Sequence, residues 1–329
     1  MEPKKIEISQ RTIIFTVGLL LSLWFLYQIR SIIVLLFIAF ILMTAVNPLI
    51  KFTQKIKLPI ILVLFIAYFG LLTLLSTVIA SLVPAVVQQT KDFTIVFPNY
   101  LHSLESTFNA QFDPNMLGDF LNTIPSNLLK FATGVFSNLM NILALFFMTY
   151  YLVLERPMLH KYLLNFFEDR NAEVKAENLV LAIEKRVGGW IRGELLLMLI
   201  IGLLTYVGLI LLKVPFALPL AVLAGLLELV PNLGPILAAV PAFVIGLTVS
   251  PVIALGTVLL SLVIQQLENN LIVPKVMLSA TGTPPLTTIV VLLVGFTLGG
   301  IMGAVLSIPL YLVIITIYNT FSSAKRAKE

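Results

Sequence analysis

Residues 216–250 read FALPLAVLAGLLELVPNLGPILAAVPAFVIGLTVS, an apolar stretch that carries a single charge, Glu228, and is interrupted at Pro231, Asn232, Gly234 and Pro235. Each arm has about 15 residues, which as helix covers roughly 22 Å at 1.5 Å per residue. A bilayer's hydrocarbon core is about 30 Å thick, so neither arm crosses it comfortably. The stretch is expected to enter the membrane and turn back as a re-entrant hairpin.

The segments on its C-terminal side have the same character. Residues 251–273 make a full span that ends in the polar cluster Gln265, Gln266, Glu268, Asn269, Asn270, followed by Pro274-Lys275. Residues 284–320 are again apolar and are again interrupted, at Gly299-Gly300. Leu233-Gly234-Pro235-Ile236-Leu237-Ala238-Ala239-Val240 aligns with Leu298-Gly299-Gly300-Ile301-Met302-Gly303-Ala304-Val305 at a constant offset. One span separates the two interruptions, so the first hairpin enters from outside and the second from the cytoplasm. That is the inverted-topology repeat of many secondary transporters, where broken helices expose backbone groups near the midplane. The longer second arm also has the length to span fully, which gives eight crossings in place of six plus two hairpins. Gly295, Gly299, Gly303 and Ser307 recur at every fourth position, a stripe that lets another helix approach closely.

Working toward the N-terminus, residues 193–212 read as a fifth span and 131–154 as a fourth. Residues 58–90 contain no charge and form a third span ending near Pro84, while 12–50 contain only Arg30 and split into two spans with Arg30 at the turn. Asn47-Pro48 is expected to close the second of these, because proline removes a helix hydrogen bond. Lys4, Lys5 and Arg11 precede the first span with no small-residue cleavage site after it, the pattern of an uncleaved signal-anchor. Two further segments read as amphipathic interfacial helices. One, 98–112, lines up Leu101, Leu104, Phe108 and Phe112; the other pair lies in 155–192, with Pro157 at a helix start and a break near Gly188-Gly189. The regions are therefore 1–90 with three spans, 91–130 outside, 131–154 as the fourth span, 155–192 in the cytoplasm, and 193–329 as the transport core.

Composition supports an all-α membrane protein with about six to eight transmembrane helices. Of 329 residues, 59% are apolar and 11% charged, and mean hydropathy is +1.04. A soluble domain carries roughly 25% charged residues, so soluble enzymes, disordered regulators and secreted disulfide scaffolds are excluded. The net charge of +5 fits the retention of Lys and Arg in cytoplasmic loops without a nucleic-acid partner. Lys51, Lys55 and Lys57, the basic residues of 155–192, and Lys325, Arg326 and Lys328 place both termini on the cytoplasmic side of the plasma membrane. Zero Cys removes thiolate catalysis and cysteine metal sites. There is no P-loop, HExxH or GxSxG, and no cofactor is expected beyond a coupling ion, H⁺ or Na⁺.

Between Gly193 and Ala324 the charges are Glu194, Lys213, Glu228, Glu268 and Lys275 alone. Carboxylates inside a membrane are costly and mark ion or proton pathways. The candidate site is Glu228, Asn232, Gly234 and Pro235 at the first break, Gln265, Gln266, Glu268, Asn269 and Asn270 in the polar cluster, and Gly299 and Gly300 at the second break. The amides suit a hydroxylated solute or a partly dehydrated ion. Arg192 and Glu194 read as an interface anchor at the mouth of the fifth span.

The strings Trp190-Ile191-Arg192-Gly193-Glu194-Leu195, Glu228-Leu229-Val230-Pro231-Asn232-Leu233-Gly234-Pro235, Gln265-Gln266-Leu267-Glu268-Asn269-Asn270 and Gly299-Gly300-Ile301-Met302-Gly303 together resemble the autoinducer-2 exporter family of bacterial and archaeal membrane proteins. The resemblance implies a multi-spanning transporter that moves a small polar signal molecule such as autoinducer-2, or exchanges sodium or lithium for protons. The sequence departs from the family's pattern at Asn232 and at Thr283-Pro284-Pro285. Alternating access by a secondary transporter, working as a homo-oligomer in the lipid bilayer, is the leading expectation. A passive oligomeric pore and a non-transporting scaffold are the alternatives.

Overall fold

The computed structural model describes residues 10–55, 58–88 (without 71, 75, 78, 82, 85 and 86), 134, 139–167, 171–230, 234–277 and 283–326. The described residues are helical, joined by short turns. In chain order the helices are α1 (Gln10–Gln28), α2 (Arg30–Lys55), α3 (Ile60–Ser81), α4 (Leu139–Glu155), α5 (Ala172–Leu211), α6 (Ala217–Leu227), α7 (Gly234–Val249), α8 (Pro251–Leu267), α9 (Val273–Met277) and α10 (Pro285–Arg326). Seven segments among the described residues are long and apolar enough to cross a membrane, and α6 and α7 are shorter apolar helices. The expected helix over 98–112 lies outside the described residues.

Several expected boundaries are overturned. Helix α2 runs through Pro48 to Lys55, although its span-length apolar stretch closes at Pro48 as expected. In an apolar surround the carbonyl freed by a proline finds another partner more readily than it unwinds the helix. Gly188 and Gly189 break nothing: α5 is one 40-residue helix that joins the segment from Ala172 to Arg192 to the fifth span. Gly188 packs on α2, where a Cβ would make ordinary contact with the Thr44 carbonyl oxygen at 3.4 Å. Helix α8 does not stop at its polar cluster but passes through a π-helical turn, Glu268–Ile272, into α9.

Two interruptions fall where the sequence places them. Helix α6 ends at Leu227, capped by Glu228, and α7 begins at Gly234. Within α10 the backbone leaves helical geometry at Gly299 (φ −142°, ψ 17°) and Gly300 (φ 61°, ψ −146°). The second conformation is open to glycine and strained for any side chain. Across this break the chain folds back, for a Cβ on Gly295 would meet the Gly303 carbonyl oxygen and the Ser307 Cβ, each at 2.5 Å. The Gly295, Gly299, Gly303, Ser307 series is thus not one face of a straight helix. Its outer members bring the two arms of the same element together, and Gly299 forms the bend.

Three buried clusters hold the bundle. Ile41 of α2, Leu179, Ile183, Val187, Trp190 and Ile191 of α5, and Ile308 and Leu312 of α10 form the first. Leu209, Val214, Leu220, Ala242 and Ile245 pack α5, α6 and α7. Met43, Val46, Ile50, Val63, Leu64 and Val153 pack α2, α3 and α4. Helices α5 and α6 touch backbone to backbone, because a Cβ on Gly225 would reach the Met198 carbonyl oxygen at 2.5 Å. This pair is what brings the end of α6, and Glu228 with it, against the middle of α5.

Candidate functional site

Helix α6 ends by running out of hydrogen-bonded turns. The Glu228 N–H still donates to the Ala224 carbonyl at 3.2 Å, and Leu229 and Val230 donate to Leu226 and Leu227. Glu228 therefore caps the C-terminal end of α6 with its side chain turned inward, and it is 0% exposed. Its carboxylate Oε2 occupies the space that a Cβ on Gly234 would take. Gly234 and Pro235 are themselves buried at the start of α7. Asn232 lies outside the described residues. Glycine at 234 is thus required by the carboxylate beside it, a link between two residues that the sequence singled out separately.

Glu268 opens the π-helical turn and is also 0% exposed. Such turns insert one extra residue per turn and gather at functional sites. The Gln265 Nε2 lies 3.5 Å from the Glu268 Oε2, at the long end of hydrogen-bond reach, and the Gln265 Oε1 is buried with no hydrogen-bond partner among the described residues. The rest of the polar cluster divides away from this pair. Gln266, Asn269 and Asn270 are exposed, and Asn270 Nδ2 donates back to the Gln266 carbonyl and side-chain oxygens at 3.0 Å. The expected single cluster is therefore two faces, one turned inward with Glu268 and one turned outward.

Glu194 corrects the reading of an interface anchor. Its side chain is 0% exposed and both carboxyl oxygens lack a hydrogen-bond partner among the described residues, whereas Arg192 beside it is exposed. The Glu194 carboxyl lies within electrostatic reach of both Glu228 and Glu268. A sequence signal for it exists: Val187, Trp190, Glu194, Leu197 and Ile201 recur at helical spacing, and all are buried on one stripe of α5. Three acids from three separate elements are thus fully buried, two of them within electrostatic reach of Glu194. As placed, they do not converge on a common point: among the described residues no three acidic or His side chains could hold a metal ion together.

The second break stands apart from these acids. Gly299 and Gly300 are exposed, and among the described residues nothing lies within 4 Å of a Cβ built at either. An open depression lined by Ile314, Ile317, Tyr318, Phe321 and Ser322 includes none of the expected site residues. The sequence also gave no sign of the ion pair that ties α4 to α5. Arg156 donates from Nε and Nη2 to the two carboxylate oxygens of the largely buried Glu184 at 2.8 and 2.6 Å. This two-pronged geometry suits a guanidinium and a carboxylate.

Comparison with known proteins gives a consistent picture. The sequence model of the AI-2E family transporter matches residues 13–323. The chain named transport protein YueF, from Bacillus subtilis (strain 168), is 27% identical over 84% of this chain and 80% of its own length. A chain named sodium-lithium/proton antiporter, from Halobacillus andaensis, is 25% identical over 92% of this chain and 91% of its own. A transport protein of Haemophilus influenzae is 27% identical over 85% and 84%.

Proposed function

The chain belongs to the AI-2E transporter family, a family of multi-pass membrane transport proteins, and from that premise we propose that it is a secondary transporter that binds a monovalent cation at Glu228 and Glu268 and moves it by alternating access. The observation that carries this reading is the complete burial of both carboxylates beside irregular backbone, one at a helix end and one in a π-helical turn. An ionised carboxylate in such surroundings is costly unless a cation or proton neutralises it. The Halobacillus chain named as a sodium-lithium/proton antiporter supports Na⁺ or Li⁺ as cargo or coupling ion, exchanged for protons. A small polar solute carried with the cation is served by the inward amide of Gln265.

The breaks at residues 228–234 and at Gly299-Gly300 act as the moving parts. Each is a re-entrant hairpin of an inverted repeat, and the short lengths of α6 and α7, 11 and 16 residues, support this for the first. The N- and C-termini lie in the cytoplasm, and the protein works in the plasma membrane as a homo-oligomer. Purified protein in liposomes is expected to show Na⁺ or Li⁺ flux that follows an imposed pH gradient. Single-channel conductance indifferent to the gradient would favour a passive pore instead.

A further inference from the structure

Glu194 is a buried acid that the reading above leaves without a task. It stands on α5, the long helix that packs against both α2 and α10 through the cluster around Trp190. No neighbouring group compensates it: both of its oxygens lack a hydrogen-bond partner among the described residues, and the charges that act on it are Glu228 and Glu268, both of its own sign. Leucine at this position would fill the same interior at lower cost, because an unpartnered buried carboxyl destabilises a fold and an apolar side chain does not. Among the described residues nothing supplies the partner that such an acid needs.

The placement of the three acids says which kind. They do not form a closed cage, which separates them from a structural metal site. Glu194 nevertheless reaches electrostatically to each of the other two, and they come from two regions that α5 touches: α6, where a Cβ on Gly225 would lie 2.5 Å from the Met198 carbonyl oxygen, and α9 just beyond the π-helical turn, where a Cβ on Gly193 would lie 2.9 Å from the Met277 Sδ. We infer that Glu194 is a third cation-binding residue, a stepping position that passes an oxygen-seeking monovalent cation between Glu228 and Glu268. This rests on the cation reading given above and adds to it a residue and a path. Separate carboxylates in sequence hold a cation firmly enough to enter and loosely enough to leave, as conduction through a protein interior requires.

The chain has its own reporter. Its tryptophans are Trp24 and Trp190, and Trp190 is buried one helical turn before Glu194. In a Trp24→Phe background, reconstituted full-length protein is titrated with Na⁺ while Trp190 emission, thermal unfolding and Na⁺ flux are recorded. Glu194→Gln is expected to lose the Na⁺ response of Trp190 and to lower Na⁺ flux about tenfold or more, the scale of one lost charged contact. Its melting temperature in Na⁺-free buffer is expected to hold or rise. A merely structural glutamate would instead lose flux and melting temperature together, and that result, or unchanged flux, overturns the inference. Glu228→Gln and Glu268→Gln measured alongside separate the two levels. If they abolish Na⁺ flux and Glu194→Gln does not, the stepping role fails and the cation reading stands; if the parent protein shows no Na⁺ flux at all, both fail.

Discussion

Helices α1 and α5 are both apolar enough to cross a bilayer, yet they have opposite fates in the fold. Helix α1 buries none of its residues, and Trp24 on it is 63% exposed. Helix α5 buries a stripe from Ala176 to Leu209, with Trp190 at 2% exposure and Glu184 and Glu194 among the buried positions. Hydrophobicity does not distinguish them, because lipid is as apolar as a protein interior and gives no reason to turn a leucine inward. What differs is the minority residues. Helix α5 places glycines where neighbouring backbones approach and acids where an interior is built, and α1 has neither the acids nor a buried contact.

That contrast can be broken in a graded series. The largest effect is expected from Glu228→Gln combined with Glu268→Gln, which should reduce gradient-driven cation flux in liposomes to the level of empty vesicles while the protein remains folded. Trp190→Ala is expected to cost about 3–5 kcal/mol, the range for removing a large aromatic from a packed core, read by thermal or denaturant unfolding in detergent. Gly303→Leu forces apart the two arms of α10 that meet at Gly295, and overpacking of this kind costs about 1–3 kcal/mol in the same assay. Arg156→Met strands the largely buried Glu184 and is expected to cost about 1–3 kcal/mol, less than a fully enclosed pair because Arg156 is part exposed. Trp24→Ala, on the exposed helix, should stay within about 0.5 kcal/mol of the parent. Equal losses for the two tryptophan variants would erase the distinction between α1 and α5.

The sequence is legible where a local rule acts without competition. Gly299-Gly300 marks a bend because the Gly300 conformation excludes side chains, and the interruption after Glu228 follows from clustered Pro and Gly. It misleads where packing overrides local propensity. Pro48 lies inside a helix, and Gly188 permits contact with Thr44 where a break was expected. Glu194 was hidden by its neighbour: Arg192 is exposed and invites the reading of an anchor, but two residues on, the helix has turned by some 200° and the acid faces inward. The division of the polar cluster was legible in principle: Gln265 and Glu268 are three apart, Gln266 and Asn270 four apart, so each pair shares its own helix face. The Arg156–Glu184 pair joins residues 28 positions apart, a separation at which no periodicity carries information.

The most direct test is the accessibility of the two breaks. The sequence contains no cysteine, so Asn232→Cys and Gly300→Cys each introduce a single thiol into an otherwise silent background. In sealed, oriented vesicles, a membrane-impermeant thiol reagent is expected to label position 232 from outside and position 300 from the cytoplasmic side, with rates that change when Na⁺ is added. Labelling of both from the same side, or of neither from any side, would contradict a solute path running between the broken helices.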